Sequence, residues 1–206
     1  MTVTPHPAVS RPLAAALVVA PVLWLAGWTA MRLRTTDGPG ALWTTAHSLW
    51  IVAFALFAAG CVGLGRLAGG RRASAVTATV VAVASAVATG VQMVIDLVVG
   101  LAPDEAAMDA RYDSVFAVPG LRVVFYDLAP GVFYAGLLAL LILAAVRRAA
   151  PAPFVVLAAV GIAAAGVGHG LPGVLRVVEG AGALLILVAL AVILRRPARD
   201  GLPASA

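Results

Sequence analysis

The chain has no lysine, one cysteine and three histidines, and charged residues of either sign fill only 11% of its 206 positions. Each scarcity excludes a class. A lone cysteine, Cys61, cannot form an intrachain disulfide, and it leaves no paired-cysteine motif for thiol redox chemistry or zinc. Set in an apolar run, it reads as a small packing residue. Soluble domains carry about 25% charged and roughly 45–50% apolar residues. Here 11% charged stands beside 63% hydrophobic, with a mean hydropathy of +1.05. A soluble chain of this length could not bury that much apolar surface. The composition therefore predicts one all-α integral membrane domain in contact with the lipid bilayer.

The net charge of +5 does not point to nucleic acid. The basic residues sit in short clusters between apolar runs, and no basic-aromatic surface is present to follow a phosphate backbone. All fourteen are arginine, which we read as the codon bias of a GC-rich genome and hence a bacterial source.

Six apolar segments approach the roughly 20 residues that cross a bilayer core. They run from Leu13 to Met31, His47 to Leu67, Val76 to Leu101, Leu121 to Val146, Phe154 to Gly168 and Gly173 to Leu194. The fifth is the shortest. The helical domain accordingly spans 13–196, between tails at 1–12 and 197–206. The first segment follows Arg11 as a secretory signal would, but Trp28 falls where cleavage wants a small residue, so it is assigned as a span.

Arginine placement predicts orientation, because short cytoplasmic loops retain positive charge. Arg66, Arg71 and Arg72 follow the second segment, Arg147 and Arg148 the fourth, and Arg195, Arg196 and Arg199 the sixth. In a six-span chain these junctions share one side with Arg11, so both termini are expected in the cytoplasm. The outer side carries Arg32, Arg34, Arg111, Arg122 and Arg176, diluted by Asp37, Asp104, Glu105, Asp109 and Asp113. The expected location is a bacterial cytoplasmic membrane.

The stretch GVGHGLPGVLRVVEG (166–180) contains a formal GxGxxG at Gly168, Gly170 and Gly173. A dinucleotide fingerprint requires a preceding strand and a following acidic residue about twenty positions on; here apolar helices flank the glycines. They read instead as a tight reversal, with Gly161, Gly166, Gly180 and Gly182 letting the last two spans approach closely. Arg176 and Glu179, at i,i+3, are expected to pair on the helix surface.

Polar residues gather at the outer level. His47, Asp96, Asp127, His169, Arg176 and Glu179 form an expected constellation drawn from five spans. Ser85, Thr89, Gln92 and Asp96 recur at i, i+4, i+7 and i+11, which confines them to an arc of about 60° on one helix face. Lipid cannot hydrogen-bond such a stripe, so it faces other helices or a hydrated cavity.

Three chemistries have partial support. His47 and His169 on different helices supply the imidazoles of a haem b, and the His/Asp/Glu set supplies the ligand types of a divalent metal site, but neither has a spacing that fixes a site. DARYD (109–113) superficially resembles the DxxxD element of membrane prenyltransferases, a family with more spans and a second acidic motif that this chain lacks. A solvated acidic loop, with a short helix begun by Pro103 and Asp104, accounts for those residues better. No cofactor is therefore predicted and no catalytic residue assigned. The leading expectation is a small-solute or proton pocket or pathway opening outward and lined by the third span, with Asp96 and Glu179 as ionisable elements and His47 and His169 at the mouth. The alternatives are a non-catalytic membrane subunit that packs against a partner protein or a second copy, and a metal- or haem-dependent enzyme.

Overall fold

The computed structural model describes residues 9–195. Within them the chain forms α1 (Arg11–Arg32), α2 (Ala41–Leu67), α3 (Ala73–Val99), α4 (Glu105–Phe116), α5 (Ala129–Val146), α6 (Ala152–His169) and α7 (Val177–Arg195). A wide π-helical segment, Arg122–Leu128, leads directly into α5, and a 3-10 turn, Gly173–Arg176, leads into α7. Six of these helical stretches are long and apolar enough to cross a membrane; α4 is not among them. His6 and the tail from Pro197 lie outside the described residues, as do Arg196 and Arg199.

The six spans form a closed ring. Each packs on its neighbour in sequence, α1 closes the ring against α7, and α2 also reaches α5. Lipid tails are as apolar as leucine, so helices in a membrane associate through close packing more than through burial. The contacts follow that rule. A side chain on Gly136 of α5 would meet the Ala82 Cα of α3 at 2.9 Å, and one on Gly161 of α6 would meet the Gly182 carbonyl of α7 at 2.7 Å. Inside the ring Phe133 packs against Phe57 at 5.1 Å and Phe54 at 5.5 Å between centroids, among fully buried Leu17, Leu137 and Leu140. Outward-facing residues such as Val80, Val87, Val156 and Val188 are exposed, as lipid-facing positions are.

The apolar runs locate the spans, and the structure moves some of their ends. α2 begins at Ala41, so His47 lies in its second turn and not at its start. The run Thr44-Thr45 lowers the local hydropathy while a helix accepts both residues, which hid the extra turn. The shortest segment forms a full span, α6. Asp104 caps α4 by accepting from the Ala107 amide at 2.8 Å, the short helix that Pro103 and Asp104 announce.

Two clusters mark the ends of the ring. At one end a side chain on Gly69, in the α2–α3 turn, would meet the Arg147 guanidinium, so the arginine-bearing turns after α2 and α5 come together. At the other end lie the α1–α2 turn, α4 and the polar residues. There Trp43, Val99, Ala102 and Met108 form a small core of their own beneath α4.

Candidate functional site

α2 presents Trp43, His47 and Trp50 at i, i+4 and i+7, one helix face. The Trp43 ring stacks on His47 at 4.3 Å, and Trp50 meets the same imidazole edge-on at 5.1 Å. His47 is only 3% exposed. Its Nδ1 lies 2.8 Å from the Trp43 carbonyl. A carbonyl only accepts, so Nδ1 carries a proton and donates, and the opposite ring nitrogen, Nε2, is the one that faces α3.

Asp96, in the last turn of α3 and 5% exposed, receives that face. Its Oδ2 is 3.8 Å from His47 Nε2. Its Oδ1 accepts from two phenols, Tyr112 of α4 at 2.8 Å and Tyr126 of the π segment at 2.7 Å. The Trp43 indole donates to the Asp96 main-chain carbonyl at 2.8 Å, in space left open by the missing side chain of Gly100. Thus α2, α3, α4 and the π segment all converge on one residue. Arg34, in the α1–α2 turn, places its guanidinium 4.8 Å over the Trp43 ring and donates to the Asp37 and Gly38 carbonyls, bringing a positive charge to the rim. Burial pushes the Tyr112 phenol well above its usual range, and the adjoining Asp96 charge adds to the shift, so Tyr112 remains a donor.

The rest of the α3 stripe behaves differently. Ser85 and Thr89 are buried, but each hydroxyl returns to its own helix, to the Val81 carbonyl at 2.6 Å and the Ser85 carbonyl at 2.9 Å. They make no bond to another span among the described residues. Gln92, one turn before Asp96, keeps a buried Oε1 without a partner among the described residues.

Glu179 belongs to a second site. Its Oε2 accepts from the Trp28 indole of α1 at 3.0 Å, and its Oε1 lies 3.2 Å from Nδ1 of His169. The expected Arg176–Glu179 pair does not form: Arg176 ends the 3-10 turn, out of α-helical phase with Glu179, and donates to the Leu171 carbonyl at 2.9 Å. Asp127 joins neither cluster. The π segment turns it outward and exposed, and Tyr126 beside it takes the inward position. The six-residue outer constellation therefore separates into His47–Asp96 and His169–Glu179, with Arg176 and Asp127 apart.

Glycine placement also differs in part from expectation. Gly161, Gly168 and Gly182 mediate the α6–α7 approach, whereas Gly180 makes room for the Trp28 ring and Gly166 faces open space. On α4, Glu105, Asp109 and Asp113 are exposed to solvent. His47 and His169 do not face each other, and among the described residues no three His, Cys, Asp or Glu side chains gather as metal ligands would.

Tyr112, Tyr126, Trp43 and Trp28 are the contributors that sequence spacing does not reveal. Two of the chain's three tyrosines bond one carboxylate oxygen. Their rarity in a chain so apolar is the signal that could have singled them out. The fold and this arrangement define a six-span helical membrane protein with a buried carboxylate–imidazole pair near one end. Compared with family models, curated proteins and solved structures, the chain matches none.

Proposed function

We propose that the protein binds a proton at the outer face of a bacterial cytoplasmic membrane, between His47 and Asp96, with both termini in the cytoplasm. One observation carries this reading. With Nδ1 donating to Trp43, the lone pair of a neutral His47 points from Nε2 toward the Asp96 carboxylate 3.8 Å away. Two acceptors facing each other away from water are costly. One additional proton removes the conflict, either as imidazolium beside carboxylate or as a carboxyl group facing imidazole. The two tyrosines hold Oδ1 and so aim Oδ2 at the histidine.

The groups facing this pair are Tyr112 from α4, Tyr126 from the π segment, Gln92 on α3 and Arg34 from the α1–α2 turn. The phenols occupy Oδ1 of Asp96 and leave Oδ2 to the histidine. A pair so placed takes up or releases one proton. A continuous path along Ser85 and Thr89 has less support, because those hydroxyls are engaged by their own helix. The ligand of this reading is the proton, ahead of a larger solute.

Infrared difference spectra of the purified protein between acidic and neutral pH test it. The wild type should show a carboxyl stretching band that disappears in Asp96→Asn and changes in position or pH midpoint in His47→Gln. Spectra of the wild type and Asp96→Asn that superimpose would reject the proton site.

A further inference from the structure

The opposite end of the ring holds a second feature, independent of the proton site. The α2–α3 turn and the α5–α6 turn border a half-open cleft of about 550 Å³ whose lining includes Arg66, Arg72, Arg147, Gly69 and Gly70. Its size falls within the range of small-ligand sites, about 300–1,000 Å³. Every carboxylate among the described residues, from Asp37 to Glu179, belongs to the other end of the ring. Both histidine–carboxylate contacts among them lie there too. Three arginines thus line one cleft with no carboxylate beside them among the described residues.

The cleft is more than a loop with loose arginines. The Arg147 guanidinium lies against Gly69, close enough that a side chain there would contact Nε at 2.6 Å and Cζ at 2.7 Å. Gly69 has φ +123°, a conformation that suits glycine. The turn therefore fixes the position of a charged plane, and the buried Nε of Arg147 has no hydrogen-bond partner among the described residues. Arg72 stands at the start of α3, a helix of 27 residues whose first turn has no side-chain cap. Its free amides and the positive end of its dipole add to the field of the arginines. A fixed guanidinium plane with two exposed arginines, beside an uncapped helix start, matches the oxygens of a phosphate.

We propose that this cleft is an anion site that takes a phosphate group, carried by an anionic phospholipid or present as free inorganic phosphate. The arginines then have a role beyond setting orientation: they hold one phosphate per chain where α2 and α5 end and α3 begins.

Native mass spectrometry of the full chain in a neutral detergent tests this, with phosphatidylglycerol or phosphatidylcholine added. The wild type should retain one phosphatidylglycerol and no phosphatidylcholine. The double variant Arg66→Gln/Arg72→Gln changes only exposed side chains, and should bind phosphatidylglycerol about 25-fold more weakly, at about fivefold for each arginine near an anionic headgroup. Arg147→Gln should weaken it further. Arg32→Gln/Arg122→Gln makes the same charge change at the other end and should leave retention intact. A parallel arm adds inorganic phosphate alone: a rise in thermal stability that the Arg66/Arg72 variant lacks supports free phosphate as the occupant, while selective lipid retention without that rise supports the headgroup. No lipid preference together with no phosphate response, or an equal loss in both double variants, overturns the proposal.

Discussion

The indole of Trp28 donates to Glu179 Oε2 at 3.0 Å and so joins the first span to the last. The bond closes the ring at the end that holds the polar residues, and Gly180, one residue beyond the glutamate, supplies the room for the Trp28 ring. Trp28→Phe keeps most of the ring and removes the donor. It should lower stability by about 1 kcal/mol, the scale of interhelical hydrogen bonds in membranes. A double-mutant cycle with Glu179→Gln, read by thermal unfolding in detergent, should show a coupling between the two; strictly additive losses would mean the bond is not made.

Glycines in the last two spans should respond unequally. A side chain on Gly182 would meet the Gly161 carbonyl and the Ala165 amide at 2.5 Å, whereas one on Gly166 meets nothing within 4 Å. Gly182→Leu should separate α6 from α7 and sharply reduce the yield of folded protein. Gly166→Leu should leave the yield near that of the wild type. Size-exclusion profiles of the two variants make the comparison.

The two phenols on Asp96 should be interdependent. Tyr112→Phe or Tyr126→Phe alone leaves Oδ1 one donor and should cost about 1 kcal/mol; removing both strands a buried acceptor and should cost more than the sum. Tyr112 adds a pH signature. Its pKa is raised on folding, so the stability it contributes is intact below the ordinary tyrosine pKa of about 10 and is lost as pH climbs beyond that value. Unfolding temperatures measured from about pH 9 to about pH 11 should fall less steeply in Tyr112→Phe than in the wild type. Parallel curves would contradict this.

Orientation is open to labelling, since Cys61 is fully buried and gives a quiet background. A membrane-impermeant maleimide applied to intact cells should modify Asp109→Cys on the exposed face of α4. It should reach Arg71→Cys only after the membrane is opened. The reverse pattern would put the acidic helix in the cytoplasm and remove the outward-facing reading.

The spans were legible because hydropathy is averaged over many residues and tolerates errors at either end. Even α6, the shortest run, emerges as a full span. Asp96 was legible for a related reason: the 3.6-residue period placed it on one face with Ser85 and Thr89, and all three are buried. What periodicity could not tell is where a hydroxyl donates. Serine and threonine in apolar helices can satisfy themselves on the carbonyl four residues back, and here both do. Pairing across the bundle was less accessible still. Equal depth made one constellation of His47 and His169, yet depth carries no information about position around the ring. Arg176 and Glu179 failed as a pair because the 3-10 turn ends between them, which no i,i+3 rule anticipates.

The wide π segment before α5 has a consequence for how this gene can vary. A π-helical turn holds more residues than an α-helical one, since its amides bond five residues back and not four. Losing one residue between Arg122 and Leu128 would let the segment relax to an ordinary α-helix, swinging its side chains by about 100°. The side chain facing Asp96 would then no longer be a tyrosine held in place. At this point the length of the chain matters as much as its spelling, and single-residue deletions there should be far less tolerated than substitutions of the outward-facing Val123 or Val124, which are exposed.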